Sequence, residues 1–199
     1  SIRSLYTDVQ CSVKVNAYMS ASFSLTKGVK QGCSMSPTLF SIYINDLVEE
    51  INSLNCGVTV DNRSISLLLF ADDIVLLAPS EESLQCMFNV VNQWCSKWQL
   101  SVNTDKTKVV HFRPNRCPST SFQFSCGSEI IEIVDKYKYL GLWLDQHLDL
   151  HVTVREISKS ASRALSCLQT KCIESGGMTY ETFTKLYEAL VQPVLLYGS

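Results

Sequence analysis

Apolar residues along the chain follow two rhythms. From Ser36 onward, Phe40, Tyr43, Ile44, Leu47, Ile51 and Leu54 share one face of a helix. Ser36 offers a hydroxyl to the free backbone N–H groups at its start, Pro37 supplies the φ of a first helical position, and Gly57 ends it. A second stripe, Leu84, Met87, Phe88, Val91, Cys95 and Trp98, predicts a core-facing helix capped by Ser80, with Glu81 and Glu82 set against the dipole. Beyond His151 the period returns in Val154, Ile157, Ala161, Leu165, Leu168 and Cys172 on a helix from Val152 to Glu174. It breaks at Gly176-Gly177 and resumes in Phe183, Leu186, Tyr187 and Leu190 on a helix from Thr179 to Pro193.

The other rhythm is extended. Val13 to Leu25 alternates loosely and predicts one or two short strands before a polar loop, Lys27-Gly28-Val29-Lys30-Gln31-Gly32. Ser64 to Leu69 and Ile74 to Ala78 are β-favouring runs separated by four residues, which predicts a largely buried hairpin with Asp72-Asp73 at or next to its turn. Thr107 to Phe112 reads as a strand, and Arg113 to Ser121 as a loop. Phe122-Gln123-Phe124 and Ile130 to Val134 flank a turn at Cys126-Gly127-Ser128, and Tyr137 to Leu144 is a further extended segment, so the sheet is expected to continue. Strands and helices in this order predict an α+β fold ending in a helical subdomain.

Composition adds little to that picture except by exclusion. At 199 residues and 46% hydrophobic content the chain buries a sizeable core. No run of about 18 apolar residues occurs, so no membrane partner is expected. Nine cysteines without a C-x-x-C pair suggest neither a zinc site nor a disulfide framework, which fits reduced thiols in an intracellular compartment. There is no initiator Met, and Pro193 to Ser199 stops inside an apolar stretch, so both ends are expected to be cut.

Charge is more informative by segment than in total. Residues 1–40 carry four basic and one acidic side chain, residues 41–90 one basic and eight acidic, and residues 91–116 five basic and one acidic. An acidic centre between basic flanks suits a metal site beside a phosphate-tracking surface, although solvated helix faces produce the same pattern.

The acidic centre holds the chemistry. Asp72 and Asp73 sit inside Leu67-Leu68-Leu69-Phe70-Ala71-Asp72-Asp73-Ile74-Val75-Leu76-Leu77, where burying unpaired charge would cost several kcal/mol per ion. A divalent cation with a taste for oxygen would compensate, Mg²⁺ being the natural candidate and Mn²⁺ the substitute. Neighbouring strand residues point to opposite faces, which favours Asp72 as the direct ligand. An ordinary polar hairpin turn explains the tetrapeptide equally well.

Three further segments give Phe70-Ala71-Asp72-Asp73 a context. They are Gly28-Val29-Lys30-Gln31-Gly32-Cys33-Ser34-Met35-Ser36-Pro37, Asn103-Thr104-Asp105-Lys106-Thr107-Lys108 and Tyr137-Lys138-Tyr139-Leu140-Gly141. With these motifs in this order and spacing, the chain resembles the reverse transcriptases of non-LTR (LINE-type) retrotransposons along nearly its whole length. The resemblance implies a right-hand polymerase palm over residues 1–146, an antiparallel sheet with packed helices, then a truncated helical thumb over residues 147–199, with the fingers missing. It implies an enzyme that copies an RNA template into DNA from a DNA primer and deoxynucleoside triphosphates with two Mg²⁺ ions, acting in nucleus and cytoplasm.

The same resemblance assigns roles residue by residue. Asp72 becomes the metal ligand and Asp73 its support, both catalytic, where two ions about 3.5–4 Å apart would stabilise the attacking and leaving oxygens. Lys106 becomes the catalytic cation near the leaving pyrophosphate. Lys30, Gln31, Gly32, Ser36 and Pro37 become the template and nucleotide contact, and Tyr139, Leu140 and Gly141 the primer contact. Arg155, Lys159, Arg163 and Lys171 fall mostly near one helix face, suited to phosphates or simply to solvent.

One part is missing. The family's bridging aspartate lies well upstream of the glutamine-glycine loop, and Asp8, within Leu5-Tyr6-Thr7-Asp8-Val9-Gln10, matches the segment just before the loop instead. The chain alone is therefore expected to be inactive, a fragment of a larger polyprotein with fingers and an endonuclease elsewhere. The rival expectation is a decayed or co-opted remnant that binds RNA and catalyses nothing.

Overall fold

The computed structural model describes residues 2–25 and 28–198, so Lys27 of the expected polar loop lies outside the described residues. The chain forms two compact units, one ending at Ser101 and the other beginning at Val102. Both mix helices with small sheets, as an α+β chain should. Among the described residues the strands form separate small sheets rather than the one continuing sheet expected.

The first unit opens with a short helix, α1 (Ile2–Leu5). A ribbon of four short strands follows: β1 (Gln10–Cys11), β2 (Lys14–Val15), β3 (Tyr18–Met19) and β4 (Phe23–Ser24). In it β1 pairs antiparallel with β4, and β2 with β3. The long helix α2 (Ser36–Ser53) buries Ile44, Leu47 and Ile51. It ends where Asn55 adopts a left-handed backbone, φ 50°, a conformation Asn tolerates better than most residues. Gly57 has another task. A Cβ there would sit 2.6 Å from Ser66 Oγ and 2.7 Å from the Ile65 carbonyl carbon, so only glycine lets the two backbones meet.

That meeting lies at the first of two tight hairpins. The strand β5 (Val58–Val60), absent from the sequence expectations, pairs with β6 (Arg63–Ile65) across Asp61-Asn62, both with positive φ, the conformation that two-residue hairpin turns select. Then β7 (Leu67–Phe70) pairs with β8 (Asp73–Leu76), and Leu77 N–H donating to the Ser66 carbonyl at 2.8 Å lengthens the ladder. Helix α3 (Glu81–Lys97) starts as expected, with the Ser80 hydroxyl accepting from Ser83 N–H at 3.2 Å. Its buried face is Met87, Phe88, Val91 and Trp94. Trp94 replaces the expected Trp98 in the core because Tyr43 packs edge-on against both indoles, at 5.5 and 5.3 Å, and leaves the outer one in water.

The second unit is built on β9 (Lys108–Val109), β10 (Phe124–Cys126) and β11 (Glu129–Ile133). Here β10 and β11 form an antiparallel hairpin whose Phe124, Cys126 and Ile131 are buried, while β9 runs parallel to β11. The expected strand over 107–112 is thus a short parallel edge, pinned by a Lys108–Glu132 ion pair of 2.8 Å. The segment from Tyr137 to Leu144 is not one extended piece but a hairpin of β12 (Lys136–Tyr139) and β13 (Leu142–Asp145).

Helix α4 (His151–Glu174) packs Ala161 and Leu168 with Val191, against which Leu165, Phe183, Leu186, Tyr187 and Val194 close. Helix α5 (Tyr180–Leu190) is capped by the Thr179 hydroxyl, and a short α6 (Gln192–Leu195) follows. Val154 and Leu190, expected inside, are 58% and 53% exposed. Thr153 is buried next to Val154, its hydroxyl donating to the Trp143 carbonyl, so the first turn of α4 departs from the expected stripe while Ala161 and Leu168 keep it. None of the helices among the described residues is long and apolar enough to cross a membrane.

Replacing Gly57 with Ala should push β6 away from the α2–β5 connection. Gly57→Ala is expected to destabilise the chain by about 1–3 kcal/mol, the usual cost of overpacking, read as a lower midpoint in urea denaturation with an unchanged slope.

Candidate functional site

The glycine-glutamine loop begins with left-handed glycines, Gly28 at φ 86° and Gly32 at φ 79°, and neither Cβ position is occupied by neighbours. Gln31 and Gly32 are exposed and Lys30 is half-buried. The loop is tied to the start of α2 by its own backbone: Cys33 N–H donates to the Lys30 carbonyl at 3.3 Å and Ser36 N–H to the Cys33 carbonyl at 3.1 Å.

Ser36 does not cap α2. Its residue is buried and its hydroxyl donates to the Lys30 carbonyl at 2.6 Å, while Met35 precedes the helix in a helical conformation without a side-chain cap. The hydroxyl is a second donor to a loop carbonyl that already accepts from Cys33 N–H. Pro37 sits in the first turn, as expected. The Tyr6 hydroxyl lies 3.4 Å from Ser36 Oγ, and the Lys30 ammonium stands over the Tyr6 ring, 5.6 Å from its centre. The Cys33 thiol faces this group. Its pKa is lowered below the ordinary thiol value, first by a backbone hydrogen bond from Met35; burial, the next largest effect, opposes this, and the Ser36 and Tyr6 hydroxyls lower it further.

In the carboxylate hairpin, Phe70 pairs with Asp73, leaving Ala71 and Asp72 as the two turn residues. Ala71 is left-handed at φ 53°. Asp73 shares a face with Phe70, and Asp72 stands at the tip, so the two carboxylates leave the backbone in different directions. Both are exposed. The strands are less buried than expected: Leu68 is 47% and Phe70 62% exposed, because this sheet has only two strands and nothing among the described residues covers that face. Both charges are therefore hydrated, and the desolvation argument for a compensating ion does not apply to this chain.

As a donor set, Asp72 and Asp73 supply hard oxygens of the kind Mg²⁺ prefers, and this ion commonly takes one or two carboxylates with its other positions filled by water and phosphate. Among the described residues no group of three or more His, Cys, Asp or Glu could hold a metal. The two carboxylates fit the ion in kind and leave most of its coordination to other groups.

Lys106 and the Tyr139–Gly141 segment belong to the second unit. Asn103 organises the lysine turn. Its carbonyl accepts from the amides of Lys106 at 3.2 Å and Thr107 at 3.0 Å and from the Thr107 hydroxyl at 2.9 Å, while its side-chain oxygen accepts from Lys106 N–H at 3.2 Å. The Asn and Thr of this motif thus hold the turn, and the Lys106 side chain is exposed. The Tyr137 hydroxyl donates to the Lys106 carbonyl at 3.0 Å. Leu140 at φ 45° and Gly141 at φ 88° make the two-residue turn between β12 and β13, and the Tyr197 hydroxyl donates to the Leu140 carbonyl. A Cβ on Gly141 would lie 3.0 Å from Tyr197 Cε1.

Tyr6, Tyr137 and Tyr197 were not among the expected site residues. No local pattern marks them, since their partners are 30, 31 and 57 positions away. Arg155, Lys159, Arg163 and Lys171 are all exposed on α4. Lys159 pairs with Glu156 at 2.7 Å, Lys171 with Glu174 at 2.6 Å, and Arg163 donates to Ser160 at 2.9 Å. The Lys159 ammonium holds the Glu156 carboxyl below its ordinary range. Such exposed pairs are weak and exchange readily for other anions.

Residues 1–144 match the family model described as reverse transcriptase (RNA-dependent DNA polymerase). The chain is 26% identical over 195 residues, 94% of its length, to the RNA-directed DNA polymerase from mobile element jockey of Drosophila melanogaster. It is 25% identical over 205 residues to the jockey polymerase of Drosophila funebris, and 30% identical over 148 residues to the Pol polyprotein of the type-2 retrotransposable element R2DM of Drosophila melanogaster. It spans only 20% of the first relative's length and 22% of the second's.

Asn103→Ala should open the lysine turn without unfolding the unit. Amide hydrogen exchange at Lys106 and Thr107 is expected to speed up by about tenfold or less, matching a loss of about 1 kcal/mol of local hydrogen bonding, with the β10–β11 amides unchanged.

Proposed function

The chain belongs to the reverse transcriptase (RNA-dependent DNA polymerase) family, and on that premise we propose that it is part of the RNA-directed DNA polymerase of a non-LTR retrotransposon. In this reading residues 1–146 are part of the palm and residues 147–199 the start of the thumb. The substrates are an RNA template, a DNA primer and deoxynucleoside triphosphates. The observation that carries it is the exposed tip of the β7–β8 hairpin, which presents two carboxylates at a rigid two-residue turn.

Each motif has a task that its geometry supports. Asp72, with Asp73 beside it, would hold Mg²⁺. When bound, that ion would neutralise charge gathering on the reacting phosphate oxygens. Lys30 and Gln31, on a loop whose Gly28 and Gly32 have open space beside them, would meet the nucleotide or template. Lys106 would offer a cation to the departing pyrophosphate, and the turn at Leu140-Gly141 would bring backbone close to the primer end. The α4 cations would follow phosphates, exchanging their glutamate partners for a polyanion.

Among the described residues no third His, Cys, Asp or Glu joins Asp72 and Asp73 in such a metal site, and the chain is expected to be inactive by itself. Set in place of the matching segment of a longer polymerase of this family, it should extend oligo(dT) on poly(rA) with Mg²⁺. Asp72→Asn should lower that rate by about a hundredfold or more. Synthesis by residues 1–199 alone would sink the claim of inactivity. A chimeric protein that polymerises equally well with Asn at position 72 would sink the metal assignment, and one that binds RNA without polymerising would mark a remnant.

A further inference from the structure

Among the described residues, Tyr6 meets the glycine-glutamine loop at both Lys30 and Ser36. It is set there by local structure: its N–H donates to the Arg3 carbonyl at 3.1 Å, the Thr7 hydroxyl donates to the same carbonyl at 2.9 Å, and Asp8 turns the chain away at φ 53°. From that position its ring faces the Lys30 ammonium at 5.6 Å and its hydroxyl approaches Ser36 Oγ at 3.4 Å. Ser36 Oγ in turn donates to the Lys30 carbonyl at 2.6 Å. Lys30 is thus held at both ends, its backbone through Ser36 and its ammonium by the face of an aromatic ring, whose quadrupole attracts cations.

The consequence is orientation. A lysine stem has four rotatable bonds and an ammonium without directional preference. Left free, it would point Gln31's neighbour anywhere over the loop. Held by Tyr6, the cation stays on the α1 side and leaves the exposed Gln31 amide and Gly32 backbone open toward a ligand. We propose that Tyr6 is a positioning residue for the Lys30–Cys33 turn, holding Lys30 aside and fixing the direction in which the Gln31 amide and the Gly32 backbone meet a nucleotide or template. This rests on the nucleotide-facing reading of that loop given above.

Cys33 reports on the arrangement without taking part in it. Its thiolate is favoured first by a backbone hydrogen bond from Met35 and further by the Ser36 and Tyr6 hydroxyls, and a thiolate, not a thiol, reacts with an alkylating agent. Because the group's pKa is lowered, reactivity should be present at a lower pH than for an ordinary thiol. Loss of a hydroxyl should move the midpoint up.

The test uses the 199-residue chain, iodoacetamide, and mass spectrometry of the Cys33 peptide across pH, together with the carbon chemical shifts of Lys30. Tyr6→Phe removes the hydroxyl and keeps the ring. It should raise the Cys33 midpoint and slow alkylation below that midpoint, and should keep the ring-current shift of Lys30. Tyr6→Leu should change both. Cys86, an exposed thiol on α3, should react alike in all three proteins. If Tyr6→Leu leaves both the Cys33 profile and the Lys30 shifts as in the unmodified chain, the positioning role is overturned. Binding of Mg²⁺-dATP to the unmodified chain is measured alongside. Absence of that binding counts against the nucleotide-facing reading alone. Binding that persists at equal strength in Tyr6→Leu, despite an altered Lys30 signal, overturns the claim that the held direction matters to the ligand.

Discussion

Every loop carries backbone carbonyls that no helix or ladder satisfies, and a chain whose motifs sit on loops must find donors for them. In this protein tyrosine hydroxyls supply several. Tyr137 donates to the Lys106 carbonyl, Tyr197 to the Leu140 carbonyl, and Tyr43 to the Trp98 carbonyl just past the end of α3. Tyr6 acts through Ser36 on the Lys30 carbonyl. The ring spans the gap and the hydroxyl donates at its end, so one residue anchors a loop that lies tens of positions away in the chain. Three of the four segments that define the family resemblance are held this way.

The fourth, the carboxylate turn, is held differently. Its rigidity comes from strand pairing on both sides of a two-residue reversal, with Ala71 accepting a left-handed backbone. An Ala at positive φ is strained by of order 1 kcal/mol, which the paired strands offset. The carboxylates need no donors because they stand in water. A site whose charges are hydrated in isolation gains little from one more cation. It becomes a strong ion site only where further chain and substrate phosphates exclude that water, since attraction between charges rises as the local dielectric falls.

The helices and two local hairpins, β7–β8 around Asp72-Asp73 and β10–β11 around Cys126-Gly127-Ser128, were legible in the sequence, and pairing between distant segments was not, for a physical reason. Helix stripes such as Ile44, Leu47 and Ile51 are fixed by contacts within one segment and its neighbour, and Ser80 caps α3 as its position suggests. Sheet pairing is decided between segments. The parallel edge formed by β9 against β11 depends on Lys108 reaching Glu132, far along the chain. The hairpin at Leu140-Gly141 looked like one extended run because Tyr137 to Leu144 alternates without a polar break. Asp61-Asn62 did carry a turn signal and β5 was still missed, since Val58-Thr59-Val60 is too short to stand out. At the candidate site, the motif residues were legible and their supports were not, because the tyrosines act across tens of residues.

Ser36 shows why one residue type misleads. A serine before Pro at a helix start is the usual sign of a cap, in which its oxygen accepts from backbone N–H groups. Here Ser36 is itself the first residue of α2, and Met35 precedes it in a helical conformation, so its side chain sits one position too far along to cap the helix. Its hydroxyl donates instead to the Lys30 carbonyl at 2.6 Å, beside the Cys33 N–H that donates to the same oxygen at 3.3 Å. The carbonyl of a half-buried residue thus has two donors, and the serine ties the loop to the helix rather than starting it.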